Sequence, residues 1–211
     1  MNDEERISGK EQVRSFFCEK NIQYLKRCRI EWKPLRKMKL NKSVYYRENL
    51  DEFTGLDARY GEEIEKGQMA PLYIQKINDQ IGYGLFAAEN LKKGDFIGEY
   101  TGVIRVSEEL TETFEDGSYE TDFSWDYPDE TGDTALEING RLEGNELRFA
   151  NHDRNYNLDV EHTLHKGQWL IFFVARRDII ADEQLFVSYG DEYWNGGFRQ
   201  IADIENEGVK G

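Results

Sequence analysis

Gly144-Asn145-Glu146-Leu147-Arg148-Phe149-Ala150-Asn151-His152 is the stretch on which the reading of this chain turns. A short apolar run, read as a brief strand over 147–150, ends in a consecutive Asn-His, which sets an amide and an imidazole side by side. Such a pair binds a polar ligand or braces a loop, and alone it does not choose between them. Three further stretches share this ambiguity. In Gly82-Tyr83-Gly84-Leu85, two glycines flank an aromatic ring. That arrangement lets a backbone approach a ligand closely and leaves a ring to cover it, though a tight turn before a strand accounts for it equally. Gly98-Glu99-Tyr100-Thr101-Gly102 sets a Tyr inside a strand, where face packing is the default. Glu183-Gln184-Leu185-Phe186-Val187-Ser188-Tyr189-Gly190 puts Tyr189 at a strand end, aimed into a pocket or capping the strand.

The chain around these stretches has 211 residues, enough for one large domain or a domain with an appendage. Hydrophobic residues make up 38%, and twelve Tyr, twelve Phe and four Trp supply an aromatic core, which argues against wholesale disorder. No apolar run is long enough to span a bilayer, and residues 1–12 lack the apolar core of a signal peptide. Two cysteines, Cys18 and Cys28, make neither a disulfide framework nor a zinc site, so no metal is expected and a reducing, cytoplasmic location is the default. The net charge of −15 is uneven: residues 1–47 hold 13 basic and 6 acidic residues, leaving 14 basic and 36 acidic residues for the remainder. A body with a net −22 repels nucleic acid and attracts basic partners.

Apolar spacing predicts an amphipathic helix over 11–29, with Cys18 and Cys28 as core thiols. Residues 30–47 are ambiguous between helix and extended chain, and the glycines and acids of 48–71 read as loop. After Pro71 the pattern becomes short strands: 72–77, 85–88, a longer one over 96–105, 135–138, 185–189, and a hairpin of 158–165 and 168–175 around Lys166-Gly167. Short helices are expected at 107–114 and 192–200, and His162 and His165 are expected at the surface. The fold class is mainly β with an α-helical N-terminal appendage. Its expected division is a helical, basic segment over 1–70, a β-domain over 71–191, and a C-terminal aromatic lid and tail over 192–211.

The four stretches, in this order and at these separations, resemble the SET-domain family of protein lysine methyltransferases. The resemblance covers about residues 71–194, and its specific part is Gly144-Asn145-x-x-Arg148-Phe149-x-Asn151-His152 followed by Leu185-x-x-x-Tyr189-Gly190. It implies a SET-domain fold of several small curved β-sheets, with a pseudoknot-like threading of the C-terminal segment beneath an earlier loop. It implies S-adenosylmethionine as methyl donor, lined by Gly82 and Gly84, covered by Tyr83, and contacted by Tyr119, Arg148, Asn151 and His152. Tyr189 matches the catalytic Tyr and Tyr100 a Tyr of the lysine channel. Trp194 or Phe198 supplies the aromatic that closes the donor and lysine sites. Departures are Asp153 in place of the Ser that often follows Asn-His, Asn139-Gly140 in place of Asp-Ala, and Gln184 in place of Glu. The absence of cysteine-rich zinc modules looks like the compact members of bacteria and large viruses.

Methyl transfer from a sulfonium to an amine needs the neutral amine, and a free Lys holds its proton up to a pKa of about 10.4. A narrow aromatic channel strips water from the ammonium and favours the neutral form. A phenol near about 10 is protonated at neutral pH, so Tyr189 orients rather than acts as base. Val187 and Val160, at channel positions where the family often carries bulkier residues, suggest a roomier pocket and di- or trimethylation. The partner implied is a basic protein or peptide, a histone or histone-like protein, bound by strand addition, in the cytoplasm, a nucleus, or a host cell after secretion. The alternatives are a catalytically inactive SET-fold binding module and an acidic chaperone-like binder. The basic segment over 25–47 reads as a solvated face or, more sharply, as a homodimer or docking contact, with direct nucleic-acid binding disfavoured.

Overall fold

The computed structural model describes residues 6–79, 81–107, 120–128 and 134–190. Helix α1 (Gly9–Glu19) buries Val13, Phe16 and Phe17 on one face. It stops earlier than the apolar spacing suggests, because Asn21 adopts a φ of 55°. The residues expected to continue it form two short strands, β1 (Gln23–Tyr24) and β2 (Arg29–Ile30). Cys18 is therefore exposed on α1, and Cys28 lies outside the helix. The ambiguous basic stretch becomes two 3-10 turns, Lys33–Lys37 and Leu40–Lys42, followed by a one-turn helix α2 (Val44–Glu48). The Ser43 side chain caps α2 by accepting from the Tyr46 amide.

Most of residues 48–71 are helix rather than loop. Helix α3 (Leu50–Lys66) runs 17 residues through Gly55 and Gly61. The two glycines lower its intrinsic propensity, and packing overrides them, because Phe53, Tyr60 and Ile64 recur on one buried face. Gly67 ends it at φ 60°, with its own N–H bonded to the Ile64 carbonyl and that of Gln68 to Glu63, a left-handed C-cap.

The β-body follows as β3 (Leu72–Asn78), β4 (Gly82–Ala87), β5 (Phe96–Tyr100), β6 (Val103–Val106), β7 (Ser124–Asp126), β8 (Leu136–Asn139), β9 (Glu143–Gly144), β10 (Asn151–His152), β11 (Leu158–His165), β12 (Gln168–Ala175) and β13 (Phe186–Val187). The single strand expected over 96–105 breaks at Thr101-Gly102, and its halves join different sheets, β11-β12-β5 and β2-β6-β8-β7. The remaining pairs are β3-β4, β1-β9 and β10-β13. The β11–β12 hairpin has the expected limits, and Lys166 and Gly167 both take positive φ, as its tight turn requires. Residues 146–149 form a 3-10 turn in place of a strand.

The N-terminal residues are knit into this body. β1 pairs in parallel with β9, β2 pairs in parallel with β6, and α3 lies on β11 and β5. The two histidines of the hairpin are partnered rather than free at the surface. His162 stacks on Tyr45 at 5.9 Å and bonds its hydroxyl at 2.6 Å, and burial lowers its pKa. His165 bridges α3 through Asp57 at 2.6 Å and Glu65 at 3.1 Å. No helix among the described residues is long and apolar enough to cross a membrane.

Candidate active site

The site is built where the chain threads through itself. β10 and β13 pair in parallel, Asn151 opposite Phe186 and His152 opposite Val187, although 33 residues lie between them in sequence. Asn157, almost fully buried, staples the crossing. Its amide donates to the Glu183 carboxylate at 3.0 Å and the Gln184 carbonyl at 2.8 Å, and its oxygen accepts from the Phe186 amide at 2.8 Å. On the other side, Leu185 N–H bonds to the Leu85 carbonyl, fastening the same segment to β4. Tyr189 emerges from this crossing with both ends fixed. Its N–H donates to His152 Nδ1 at 3.1 Å, and its hydroxyl donates to the Ala150 carbonyl at 3.2 Å.

The Tyr189 ring faces a cavity of about 40 Å³. Its walls are Tyr100 from β5, Phe123 from the 3-10 turn Glu120–Phe123, Trp125 from β7, and Phe173 from β12, with Ala150 and Leu147 beside them. Trp125 meets Tyr100 edge-on at 6.2 Å, Phe173 at 6.0 Å and Tyr189 at 6.5 Å. This volume holds the end of one linear side chain or a few waters. The Tyr100 hydroxyl donates to the Phe123 carbonyl at 2.5 Å, and burial pushes its pKa well above the phenol range. Arg148 closes one side. Its guanidinium donates to the Gly140 carbonyl at 2.9 Å and the Arg141 carbonyl at 3.1 Å, and lies 4.1 Å over the Phe123 ring.

Next to this cavity, β4 carries Gly82-Tyr83-Gly84 within the strand rather than in a turn ahead of it. Gly82 takes φ +80°, and a Cβ on Gly84 would stand 2.7 Å from both Gln184 and Ile77. The Gln184 and Ile77 side chains fill the space beside Gly84, whereas nothing lies within 4 Å of where a Cβ on Gly82 would stand, which leaves the Gly82 backbone open beside the crossing. Asn151 donates from its amide to the Tyr83 carbonyl at 3.2 Å.

A model of the SET domain matches residues 82–190. The chain belongs to the SET-domain family. It is similar to three histone-lysine N-methyltransferases: EZH2 of Chaetomium thermophilum (31% identical over 136 residues), MEDEA of Arabidopsis thaliana (34% over 124) and Su(var)3-9 of Drosophila melanogaster (33% over 134). These matches cover 61%, 57% and 60% of this chain but only 9%, 17% and 21% of the relatives. The chain therefore spans about a fifth or less of their length. The fold is also that of ATXR5, crystallised with a mono-methylated histone H3.1, at a TM-score of 0.59, 18% identity, and coverage of 85% of this chain and 86% of that one.

The departures from the usual SET pattern have local packing roles. A Cβ at Gly140 would lie 2.6 Å from the Tyr100 hydroxyl, so the glycine makes room for that ring. Asn139 holds the same turn by accepting from the Arg141 amide at 3.0 Å and donating to Ser124 at 2.8 Å. Asp153 accepts from the Asn155 amide at 2.6 Å and shapes the turn after β10.

Gly82, Tyr83, Gly84, Tyr100, Arg148, Asn151, His152 and Tyr189, scattered over more than a hundred residues, come together at this crossing. Val187 is buried beneath it, Val160 is half-buried on β11 opposite Phe173, and neither is among the described residues lining the cavity. The aromatic bulk expected to be missing at those valines is present from other strands, as Trp125 and Phe173. Neither ring was legible as a site residue. Phe173 sits in an apolar hairpin strand that reads as core, and Trp125 follows a loosely patterned loop. Tyr119, Trp194 and Phe198, the helix expected at 192–200, and all but Ser107 of the helix expected at 107–114 lie outside the described residues.

Proposed function

We propose that this chain is an S-adenosylmethionine-dependent protein lysine N-methyltransferase acting on a basic protein such as a histone or histone-like protein. The observation that carries the reading is the aromatic cavity lined by Tyr189, whose N–H bonds His152, next along a strand to Asn151, which bonds the Tyr83 carbonyl between the two glycines.

The residues present fit the donor. The open space at Gly82, its positive φ and the neighbouring Asn151 amide provide backbone and amide surface for a nucleotide-like ligand. Gly82, Gly84, Arg148, Asn151 and His152 hold it in this reading, with Tyr83 as cover. When bound, S-adenosylmethionine supplies an electrophilic methyl group on a sulfonium.

The chain does the rest. A lysine side chain entering between Tyr100, Trp125 and Phe173 loses its water shell, which disfavours the ammonium and lowers the cost of a neutral amine. The released proton leaves through the cavity mouth to solvent. The Tyr189 hydroxyl, already aimed at the Ala150 carbonyl, offers its oxygen to an amine hydrogen and so orients the nitrogen lone pair. Tyr100 stays protonated, because burial raises its pKa, and it presents a wall rather than a base. The net acidic charge of the body favours encounter with basic tails.

The test is incubation with labelled S-adenosylmethionine and a panel of basic proteins, histones among them, with mapping of modified lysines. Label on lysine, lost in Tyr189→Phe, is expected. Donor binding with no incorporation into any panel member would favour an inactive binding module.

A further inference from the structure

Helix α1 lies outside the stretch that the SET model matches, yet it packs on the residue that covers the donor cradle. Phe16 meets the Tyr83 ring at 4.8 Å, at 64°. Lys20, which ends the helix by donating its N–H to the Phe16 carbonyl, holds its ammonium 4.9 Å from the Tyr83 ring centre and 5.7 Å from that of Phe16. Phe149, one residue after Arg148, meets Tyr83 at 6.2 Å and Phe16 at 5.7 Å. The same helix therefore touches both segments that frame the cradle. Tyr83 is fixed at its backbone by Asn151 and at its ring by a hydrocarbon face and a cation.

Lys20 is exposed and makes no ion pair among the described residues. An exposed lysine with no carboxylate partner, laid over an aromatic face, acts on the orientation of that ring more than on the stability of the fold. Phe16, by contrast, is buried and contributes to both.

We propose that Phe16 and Lys20 are positioning residues for the methyl donor, acting through the ring of Tyr83. The inference rests on the methyltransferase reading above. A Tyr83 ring held in one orientation presents a formed cover to the donor, and a ring free to turn must be ordered at the moment of binding.

The experiment measures donor affinity by calorimetry with S-adenosylmethionine, and steady-state kinetics with a methylated panel substrate, for the full chain and for Lys20→Met, Lys20→Arg and Phe16→Leu. Lys20→Met keeps the hydrocarbon stem and removes the charge. It is expected to weaken donor binding by about 2- to 5-fold, the size of an exposed cation–aromatic contact, and to leave the peptide KM and the melting temperature unchanged. Lys20→Arg restores the affinity, and Phe16→Leu weakens it further. Donor affinities of Lys20→Met and Phe16→Leu equal to that of the unmodified chain would overturn the proposal. So would a peptide KM that rises in step with the donor constant. If Phe16→Leu does not fold, the exposed Lys20 decides alone. An unmodified chain that binds no donor at all is a different failure, because it removes the methyltransferase reading itself.

Discussion

The sheet β11-β12-β5 has two faces, and they are built on different principles. Along β12, Trp169, Ile171, Phe173 and Ala175 point into the larger core, where Phe173 walls the cavity. Leu170, Phe172 and Val174 point the other way, into a smaller cluster with Phe96 and with Tyr60 and Ile64 of α3. On the cavity face, the hydroxyls of Tyr100 and Tyr189 are tied to backbone carbonyls, and the Arg148 guanidinium is turned onto the Gly140 and Arg141 carbonyls. Under α3 the seam is closed by side chains that titrate, His165 with Asp57 and Glu65. Hydroxyls bonded to backbone add no negative charge that would hold an ammonium protonated, which the methyltransferase proposed above requires. The seam has no such demand and can use ions. In that proposal one face holds the chemistry, and the other holds the sheet.

The largest effect that separates the faces is expected from Phe172→Ala. Phe172 is fully buried under α3 and touches nothing in the cavity. Truncation removes its transfer energy and leaves a hole, together about 3–5 kcal/mol. The melting temperature should fall by roughly 10 °C, and the peptide KM measured well below that temperature should not change. A changed KM would mean that the two faces are mechanically coupled, and the comparison would fail.

Tyr189→Phe reverses the pattern. It removes one hydroxyl bonded to the Ala150 carbonyl at a half-buried position. Turnover should drop by about 100-fold or more, the scale for losing one oriented group at a reacting centre, while the melting temperature moves little. A large loss of stability together with a small loss of turnover would make this tyrosine a strut of the crossing.

How much of this was legible follows from where each signal sits. The hairpin could be read to the residue, because its alternation and its Lys166-Gly167 turn are local. Asn151, His152 and Tyr189 were legible as a motif, and the crossing that unites them turns on Asn157, a residue with no pattern of its own. Helix α3 was hidden because Gly55 and Gly61 weaken its propensity, and its partners on β12 lie more than a hundred residues away. The cavity walls Trp125 and Phe173 were hidden because an inward ring at a site and an inward ring in a core look alike in sequence. Only the register, which places Phe173 opposite Gly98 on β5 and Val160 on β11, separates the two cases.

The seam under α3 makes a smaller prediction, through pH. Burial pushes the pKa of His165 down, but its hydrogen bonds and charge interactions with Asp57 and Glu65 outweigh it, so the folded pKa lies above the ordinary value of 6.5. A raised folded pKa means that the native state holds this proton more tightly than the unfolded chain. The stability it confers is fully present below pH 6.5 and is lost as pH rises through the higher folded value. Comparing the unmodified chain with His165→Gln, the difference in melting temperature should shrink by about 2 °C as pH rises through that window, the size expected of a half-solvated ion pair. A difference that is flat with pH, or that grows, would remove the ionic account of the seam.

The smallest effect tests how dry the cavity face is from behind. Cys28 lies behind the Tyr100 wall of the cavity, with its sulfur 3.6 Å from the Tyr100 carbonyl, and burial with the neighbouring Glu99 carboxylate pushes its pKa up to about 12. Cys18 stands exposed on α1. The thiolate is the species that reacts, and at pH 8 a thiol with so high a pKa is almost wholly protonated. Iodoacetamide should therefore modify the native protein once, at Cys18, and the denatured protein twice, read as one and two mass increments on the intact chain. Modification of Cys28 in the native state at a rate near that of Cys18 would show water behind Tyr100. A wall wet on that side could not desolvate an ammonium on the other, so this minor thiol measures the property on which the cavity face depends.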